Sequence, residues 1–210
     1  MTSEQTRRGV AGIILAGGQS RRMGRNKALL SVPGQPSLTF VEHLASLLAQ
    51  SCQEVLLVAR DQTSGKELCA PATRHNWRLV YDQIPDQGPL MGLLSGLQAT
   101  SYSHALVLAV DLPFAQPALL AWLATLPLSD ELLVPRVQDI PQVLLARYPR
   151  ALLPIIEGCL QAGRRDPRAL LSKVPVRYLE EAQLREIDPE LRSFKNINTP
   201  EDLAQTNKCL

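Results

Sequence analysis

A chain of 210 residues, 45% apolar and 20% charged, can bury one sizeable core and reads as an ordinary globular protein. Its net charge of +2, with no long Lys/Arg stripe, excludes a protein that acts chiefly through nucleic-acid electrostatics. Cys52, Cys69, Cys159 and Cys209 never approach C-x-x-C spacing, which argues against zinc, redox and disulfide roles and for a reducing, cytoplasmic setting.

Residues 1–8 are polar, lack a signal-type apolar segment and read as a flexible tail. Residues 10–15 form a first strand, 38–49 a helix, 54–59 a second strand and 79–81 a third. A helix over 90–99, a fourth strand over 105–110 and a helix over 118–126 follow. The strand runs are almost continuously Val, Ile, Leu and Ala, the pattern of strands buried on both faces of a parallel sheet. None is long enough to span a membrane. Residues 132–134 and 143–146 extend the sheet, and helices are expected over 151–162 and 167–173. A last helix starts with Thr199 as N-cap, Pro200 at its first position, and Glu201 and Asp202 facing the positive end of its dipole. With no repeat or linker, residues 1–210 make one domain of three α/β/α layers.

The most informative segment is Leu15-Ala16-Gly17-Gly18-Gln19-Ser20-Arg21-Arg22-Met23-Gly24-Arg25-Asn26-Lys27. It leaves a buried strand at the sheet edge where open α/β folds bind ligands. Gly17 and Gly18 let backbone N–H groups approach phosphates, and Arg21, Arg22 and Lys27 offer the positive charge a triphosphate needs. A Walker A loop is excluded, because Lys27 lies three residues past Gly24 and Ala28 follows. The dinucleotide fingerprint fails because the first two glycines are adjacent.

Asp111 ends the fourth strand, where its carboxylate either serves Mg²⁺ together with phosphate oxygens or closes an Asx turn before Pro113. Asp82 ends the third strand on the same edge, as a nucleotide contact or a turn residue. Between them, Gly88, Gly92 and Gly96 share a helical face. A glycine inside a helix costs about 1 kcal/mol relative to alanine, so a bare face needs a reason. Packing on the sheet accounts for Gly96, while Gly88 and Gly92 lie nearer the ligand edge. Asn196 and Asn198 share a side if their segment is extended, and their amides can hold phosphates, complete a metal shell or cap the last helix. Arg164 and Arg165 are candidate anion contacts or simply surface residues. His43 falls in a helix, and His75 and His104 precede strands, so no catalytic His, Ser or Cys arrangement emerges.

At the first loop the sequence resembles the molybdenum cofactor guanylyltransferases, whose loop reads Leu-Ala-Gly-Gly-x-Ser-x-Arg-Met-Gly-x-Asp-Lys. Asn26 stands where the family has Asp. The two aspartates, Gly88-Pro89-Leu90-Met91-Gly92 and the Asn196-to-Asp202 stretch follow in the family's order. The resemblance implies a Rossmann-like nucleotidyltransferase domain with a mostly parallel sheet. The implied reaction transfers GMP from GTP to the terminal phosphate of molybdopterin and releases pyrophosphate.

By resemblance, Leu15, Ala16, Gly17, Gly18, Asp82, Gly88 and Gly92 lie at the nucleotide, with Asn196 and Asn198 nearby. Lys27 and Arg22 act on the phosphates, and Asp111 is the Mg²⁺ ligand. The family's Asn after the second strand aligns with Val58, so a backbone contact or Arg60 takes its place. Residues 138–188 match poorly and build the pterin side. Transient contacts with cofactor-biosynthesis proteins or recipient apoenzymes are also implied, and no nucleic-acid or membrane partner is. The competing readings are a cytidylyltransferase or other nucleotidyltransferase of this fold, and a non-catalytic nucleotide-binding protein. Gly17-Gly18 and Gly88-Pro89-Leu90 favour the guanylyl branch.

Overall fold

The computed structural model describes residues 6–17, 26–199 and 201–203. Strand β1 (Arg7–Leu15) leads to a hairpin, β2 (Ser31–Val32) and β3 (Gln35–Thr39), and then to helix α1 (Phe40–Ala49). Next come β4 (Val55–Ala59), α2 (Gln62–Gly65), α3 (Cys69–His75) and β5 (Arg78–Tyr81). They are followed by α4 (Pro89–Ala99), β6 (Tyr102–Ala109) and α5 (Pro117–Thr125). The chain continues through β7 (Leu132–Val137), β8 (Ile140–Pro141), β9 (Leu145–Pro149), α6 (Leu153–Gln161), β10 (Val176–Leu179) and α7 (Glu181–Arg185).

Among the described residues one eight-stranded sheet runs in the order β10-β7-β9-β6-β1-β4-β5, with β8 paired to β7. Its pairs are parallel from β6 through β1 and β4 to β5 and again between β7 and β10, while β9 runs against both its neighbours. Alternate side chains leave the sheet on opposite faces. Ile14, Leu57, Leu106 and Leu108 pack under α1 and α5, while Ile13, Leu56, Val58 and Val107 pack under α4 and α6. Both faces are covered, which is why the strands read as uninterrupted apolar runs. Among the described residues no helix is long and apolar enough to cross a membrane.

The strand order positions the site. From β1 the chain steps to β4 and β5 on one side, then returns through α4 to β6 on the other side of β1. The order reverses between β1 and β6, and at such a switch point a crevice opens beyond the carboxyl ends of the strands.

Several boundaries differ from expectation. Arg7 and Arg8 belong to β1 rather than to a flexible tail: Arg7 N–H donates to Ser101 O at 2.8 Å, and β6 provides a partner past the apolar run. His104 lies inside β6, not before it, for the same reason. The first helix begins at Phe40, because Thr39 is its N-cap in a reciprocal capping box with Glu42. The helix expected over 167–173 is a short 3-10 turn, Pro167–Leu170. The last helix is seen over residues 201–203, with Thr199 Oγ1 accepting from Asp202 N–H at 3.1 Å, while Pro200 lies outside the described residues.

Arg147, only 2% exposed, is an unusual core residue on β9. Its guanidinium donates to Leu123 O at 2.9 Å, Leu126 O at 2.7 Å and Pro127 O at 2.7 Å. These carbonyls end α5 and would otherwise lack partners, and a cation also suits the negative end of the helix. Replacing Arg147 with Met keeps the apolar stem but strips those acceptors. We expect Arg147→Met to lower the free energy of unfolding by roughly 2–4 kcal/mol, read by urea denaturation. An unchanged midpoint would show that water serves these carbonyls equally well.

Candidate active site

A cavity of ≈ 390 Å³ occupies the crevice, within the size range of small-molecule sites. Leu15, Ala16 and Gly17 form its floor at the end of β1, and Val58 and Arg60 enter at the end of β4. Asp82 and Asp86 follow β5, Gly88, Pro89 and Gly92 open α4, and Ala109, Val110 and Asp111 close β6. Asn26, Lys27 and Leu144 complete the wall. The β1 and β6 ends are tied together by Val110 N–H, which donates to Leu15 O at 3.2 Å.

The structure therefore gathers Leu15, Ala16, Gly17, Lys27, Asp82, Gly88, Gly92 and Asp111 around one space. Asn198 reaches it from the C-terminal segment, its Oδ1 accepting from Lys27 Nζ at 2.8 Å. Asn196 is exposed and stands outside the lining. Gly18, Arg21 and Arg22 lie outside the described residues.

The glycines have separate reasons. A Cβ on Gly17 would sit 2.8 Å from the backbone N of Arg60, so the β1 and β4 ends meet only across a bare residue. Gly88 precedes α4 as its N-cap instead of sharing a helical face with Gly92 and Gly96. Its φ of +76° and the carbonyl of Arg165, 2.9 Å from an added Cβ, exclude a side chain. On Gly92 a Cβ would stand 3.2 Å from Leu15 Cδ2 and 3.6 Å from Asp82 Oδ1. On Gly96 it would come within 2.9 Å of Ile13, so packing on β1 accounts for that position.

Charge is arranged in two groups. Lys27 Nζ lies 3.7 Å from Asp111 Oδ2. Burial pushes the Asp111 carboxyl above the usual range, and the nearby Lys27 ammonium opposes that rise. Burial pushes Asp82 up to about 7, against the Ser95 hydroxyl and the Arg60 charge, which favour the anion. Asp82 Oδ1 is buried without a hydrogen-bond partner among the described residues. At the mouth, Arg60 Nε donates to Asp61 at 2.9 Å and its Nη1 stands 3.5 Å from Asp86.

Sequence reasoning missed Ser95 and Asp86. Ser95 had a signal, since it lies three residues after Gly92 and one before Gly96 on an otherwise apolar face. Asp86, at φ +62°, had none. The Arg165 guanidinium is turned away: its Nη1 donates to Leu160 O and Arg164 O, each at 3.0 Å, while its backbone carbonyl and Cβ face Gly88.

The family of the MobA-like NTP transferase domain matches residues 12–180. This chain belongs to that family. A protein of Chloroflexus aggregans named "Probable molybdenum cofactor guanylyltransferase" is 38% identical over 92% of this chain and 91% of its own length. The molybdenum cofactor guanylyltransferase of Desulfosudis oleivorans is 32% identical over 96% of each chain. The crystal structure of molybdopterin-guanine dinucleotide biosynthesis protein A from Archaeoglobus fulgidus superposes with a TM-score of 0.77 at 26% identity, covering 95% of this chain and 97% of its own.

Against this MobA-like family background, Val58 is 1% exposed, with its side chain packed under α4, and its carbonyl already accepts from Ala16 N–H at 2.8 Å. Arg60, two residues on, is the polar group that the end of β4 presents to the cavity. A divalent cation fits the opposite side in a specific way. Among the described residues no group of three or more His, Cys, Asp or Glu could cage a metal. Asp111 alone, desolvated and facing the cavity, suits a hydrated ion that also takes phosphate oxygens, which is how Mg²⁺ is usually held.

Asp82 also generates a pH dependence. The folded protein keeps its proton up to about pH 7, whereas the unfolded chain releases it near about 3.9. The unfolded state therefore gains relative to the folded state between those values, and stability falls as pH rises through the window. We expect Asp82→Asn to flatten that slope and to make the ligand-free protein more stable than wild type above pH 7. Asp111 leaves a residual slope of the same sign. Urea unfolding from pH 4.5 to 8 measures both, and parallel profiles for the two proteins would contradict the assignment.

Proposed function

We propose that this protein transfers GMP from GTP to the terminal phosphate of molybdopterin and releases pyrophosphate. The observation that carries the reading is the spacing of its two carboxylates along one crevice. Asp111 follows β6 and Asp82 follows β5, with β1 and β4 between them. Three inter-strand steps place these strand ends roughly 14 Å apart, a separation suited to a nucleotide lying across the sheet edge.

At the Asp82 side, a buried carboxylate meets a base edge. Guanine presents N1–H and N2–H₂ together, two donors for one carboxylate. Adenine and cytosine each offer a donor beside an acceptor and leave one oxygen unsatisfied. A carboxylate pushed up by burial gains most from a ligand that brings two donors. Arg60 can complement the acceptor atoms O6 and N7 on the far edge of guanine, a pairing that arginine commonly makes.

At the Asp111 side, Lys27 and the Gly17 N–H just past β1 bind and orient the phosphates. Asp111 would hold Mg²⁺, which when bound neutralises triphosphate charge. The attacking phosphate of the acceptor has a second pKa of about 6, so it is ionised at neutral pH and needs no general base. Catalysis then rests on orientation and charge neutralisation by Lys27 and the loop amides. Residues beyond the β9 side of the crevice, near Leu144, are the natural place for the pterin. We place the reaction in the cytoplasm, with hand-over to other cofactor-handling proteins or apoenzymes by transient contact.

Thermal shift with GTP, CTP and ATP, each with Mg²⁺, tests base choice, because a ligand stabilises in proportion to its preference for the native state. GTP should raise the melting temperature most, and a larger shift with CTP would favour cytidylyl transfer. Asp111→Ala should abolish GMP transfer, and Lys27→Ala should lower it about 100-fold or more, with the fold retained. Wild-type rates in either variant at limiting GTP would overturn the site, and GTP binding without any transfer would point to a non-catalytic nucleotide-binding protein.

A further inference from the structure

We infer that Asp202 is a positioning residue, which anchors the C-terminal segment so that Asn198 holds Lys27 beside Asp111. The inference rests on the reading above that Lys27 serves a triphosphate. Lys27 and residue 198 are far apart in the chain, yet Lys27 Nζ donates to Asn198 Oδ1 at 2.8 Å while lying 3.7 Å from Asp111. A lysine on a four-carbon stem has many rotamers, so a fixed acceptor decides where its charge rests.

Asn198 is fixed from both sides. On one side Ile197, 1% exposed, plugs into the core, and its N–H donates to the carbonyl of Asp111 itself at 2.9 Å. The same short stretch is therefore stitched to the carboxylate's own backbone and to the lysine's ammonium. On the other side Asp202 Oδ2 accepts from the N–H groups of both Asn198 and Thr199, each at 2.8 Å, and Thr199 Oγ1 accepts from Asp202 N–H at 3.1 Å. A carboxylate receiving two backbone donors is a strong, directional clamp, and those bonds hold its pKa below the usual carboxylate range. An ordinary helix cap would end with the first turn. Here one of the clamped residues is the one whose side chain reaches the lysine.

Among the roles open to Asn198 from sequence, this arrangement adds a concrete one: its amide oxygen accepts from Lys27, the lysine proposed above to bind phosphate. Asp202 then acts at one remove, and its loss should be felt in triphosphate binding and not in nucleoside binding.

The test measures affinity by calorimetry for a triphosphate and for its nucleoside, in wild type, Asp202→Ala, Asp202→Asn, Lys27→Ala and the Asp202→Ala/Lys27→Ala double variant. Expected are an approximately tenfold loss of triphosphate affinity in Asp202→Ala, unchanged nucleoside affinity, and near-complete rescue in Asp202→Asn, which keeps an acceptor oxygen. In the Lys27→Ala background, Asp202→Ala should cost nothing further, because its effect runs through the lysine. Equal losses for triphosphate and nucleoside, an unaltered Asp202→Ala, or a full additional loss in the double variant would each overturn the proposal. If Asp202→Ala does not fold, Asn198→Leu removes the Asn198 acceptor from Lys27 without touching the clamp and is held to the same outcomes. The comparison uses whichever triphosphate wild type prefers. A preference for CTP thus removes the guanylyl reading while leaving this test intact, and a wild type that binds no triphosphate more tightly than its nucleoside removes both.

Discussion

The contact on which the crevice depends is the approach of Lys27 to Asp111, 3.7 Å apart at the end of the sheet. Neither residue reaches its place through local structure. Asp111 is carried there by β6, whose eight residues are locked between β1 and β9. Lys27 begins a short 3-10 turn, Lys27–Leu29, capped by Asn26 through its acceptance from Ala28 N–H at 3.1 Å. Asn26 also donates to Glu67 at 3.0 Å, a tie that links the turn to the segment between α2 and α3. An Asp at this position would meet Glu67 as a like charge. Asn keeps the cap and converts the second contact into a hydrogen bond.

Both strand-end carboxylates are raised by burial, but by environments with different consequences. Asp111 has a cation beside it, so its desolvation is partly offset before any ligand arrives. Asp82 has only the Ser95 hydroxyl and the more distant charge of Arg60, and its shift is the larger one. A group left in that condition destabilises the empty protein at neutral pH and is relieved by a ligand with the right donors. On the proposed reading, stability and recognition oppose each other at Asp82 and much less at Asp111. Such opposition is common where a binding site is built before its ligand.

The parts of this architecture legible in sequence were those set by burial on two faces. The runs ending in Leu15, Ala59 and Ala109 announce strands because their buried stretches are almost wholly apolar. Less legible were elements held by pairing or by distant partners. β10 lies at the sheet edge beside β7, with a mixed burial pattern and no apolar run to mark it. Arg7 and Arg8 expose their side chains while their backbone sits in a central strand, so composition reads them as tail. In the site, the placement of Gly17, Asp82 and Asp111 was legible because each directly follows an apolar strand run, although a turn role stayed open for both aspartates. The partner of Asn198 was not, since nothing within its own segment points to Lys27.

The remaining constraint is how closely α4 lies on the sheet. Gly96 lets Ile13 come within a distance that no Cβ would tolerate, and Gly92 does nearly the same for Leu15. These two contacts set the depth of the helix, and the depth in turn buries Asp82, whose Oδ1 faces the bare position of Gly92. At the helix start, Gly88 turns through a positive φ against the Arg165 backbone, while Leu90 N–H donates to Arg165 O at 3.0 Å. The loop after α6 thereby takes one of the donors at the N-terminus of α4. The first turn of α4 is thus committed to holding the fold, and Lys27 and the end of β1 face the cavity from across the crevice. The burial of Asp82 and the depth of the crevice share one origin: a helix that is bare at Gly92 and Gly96, where it meets the sheet.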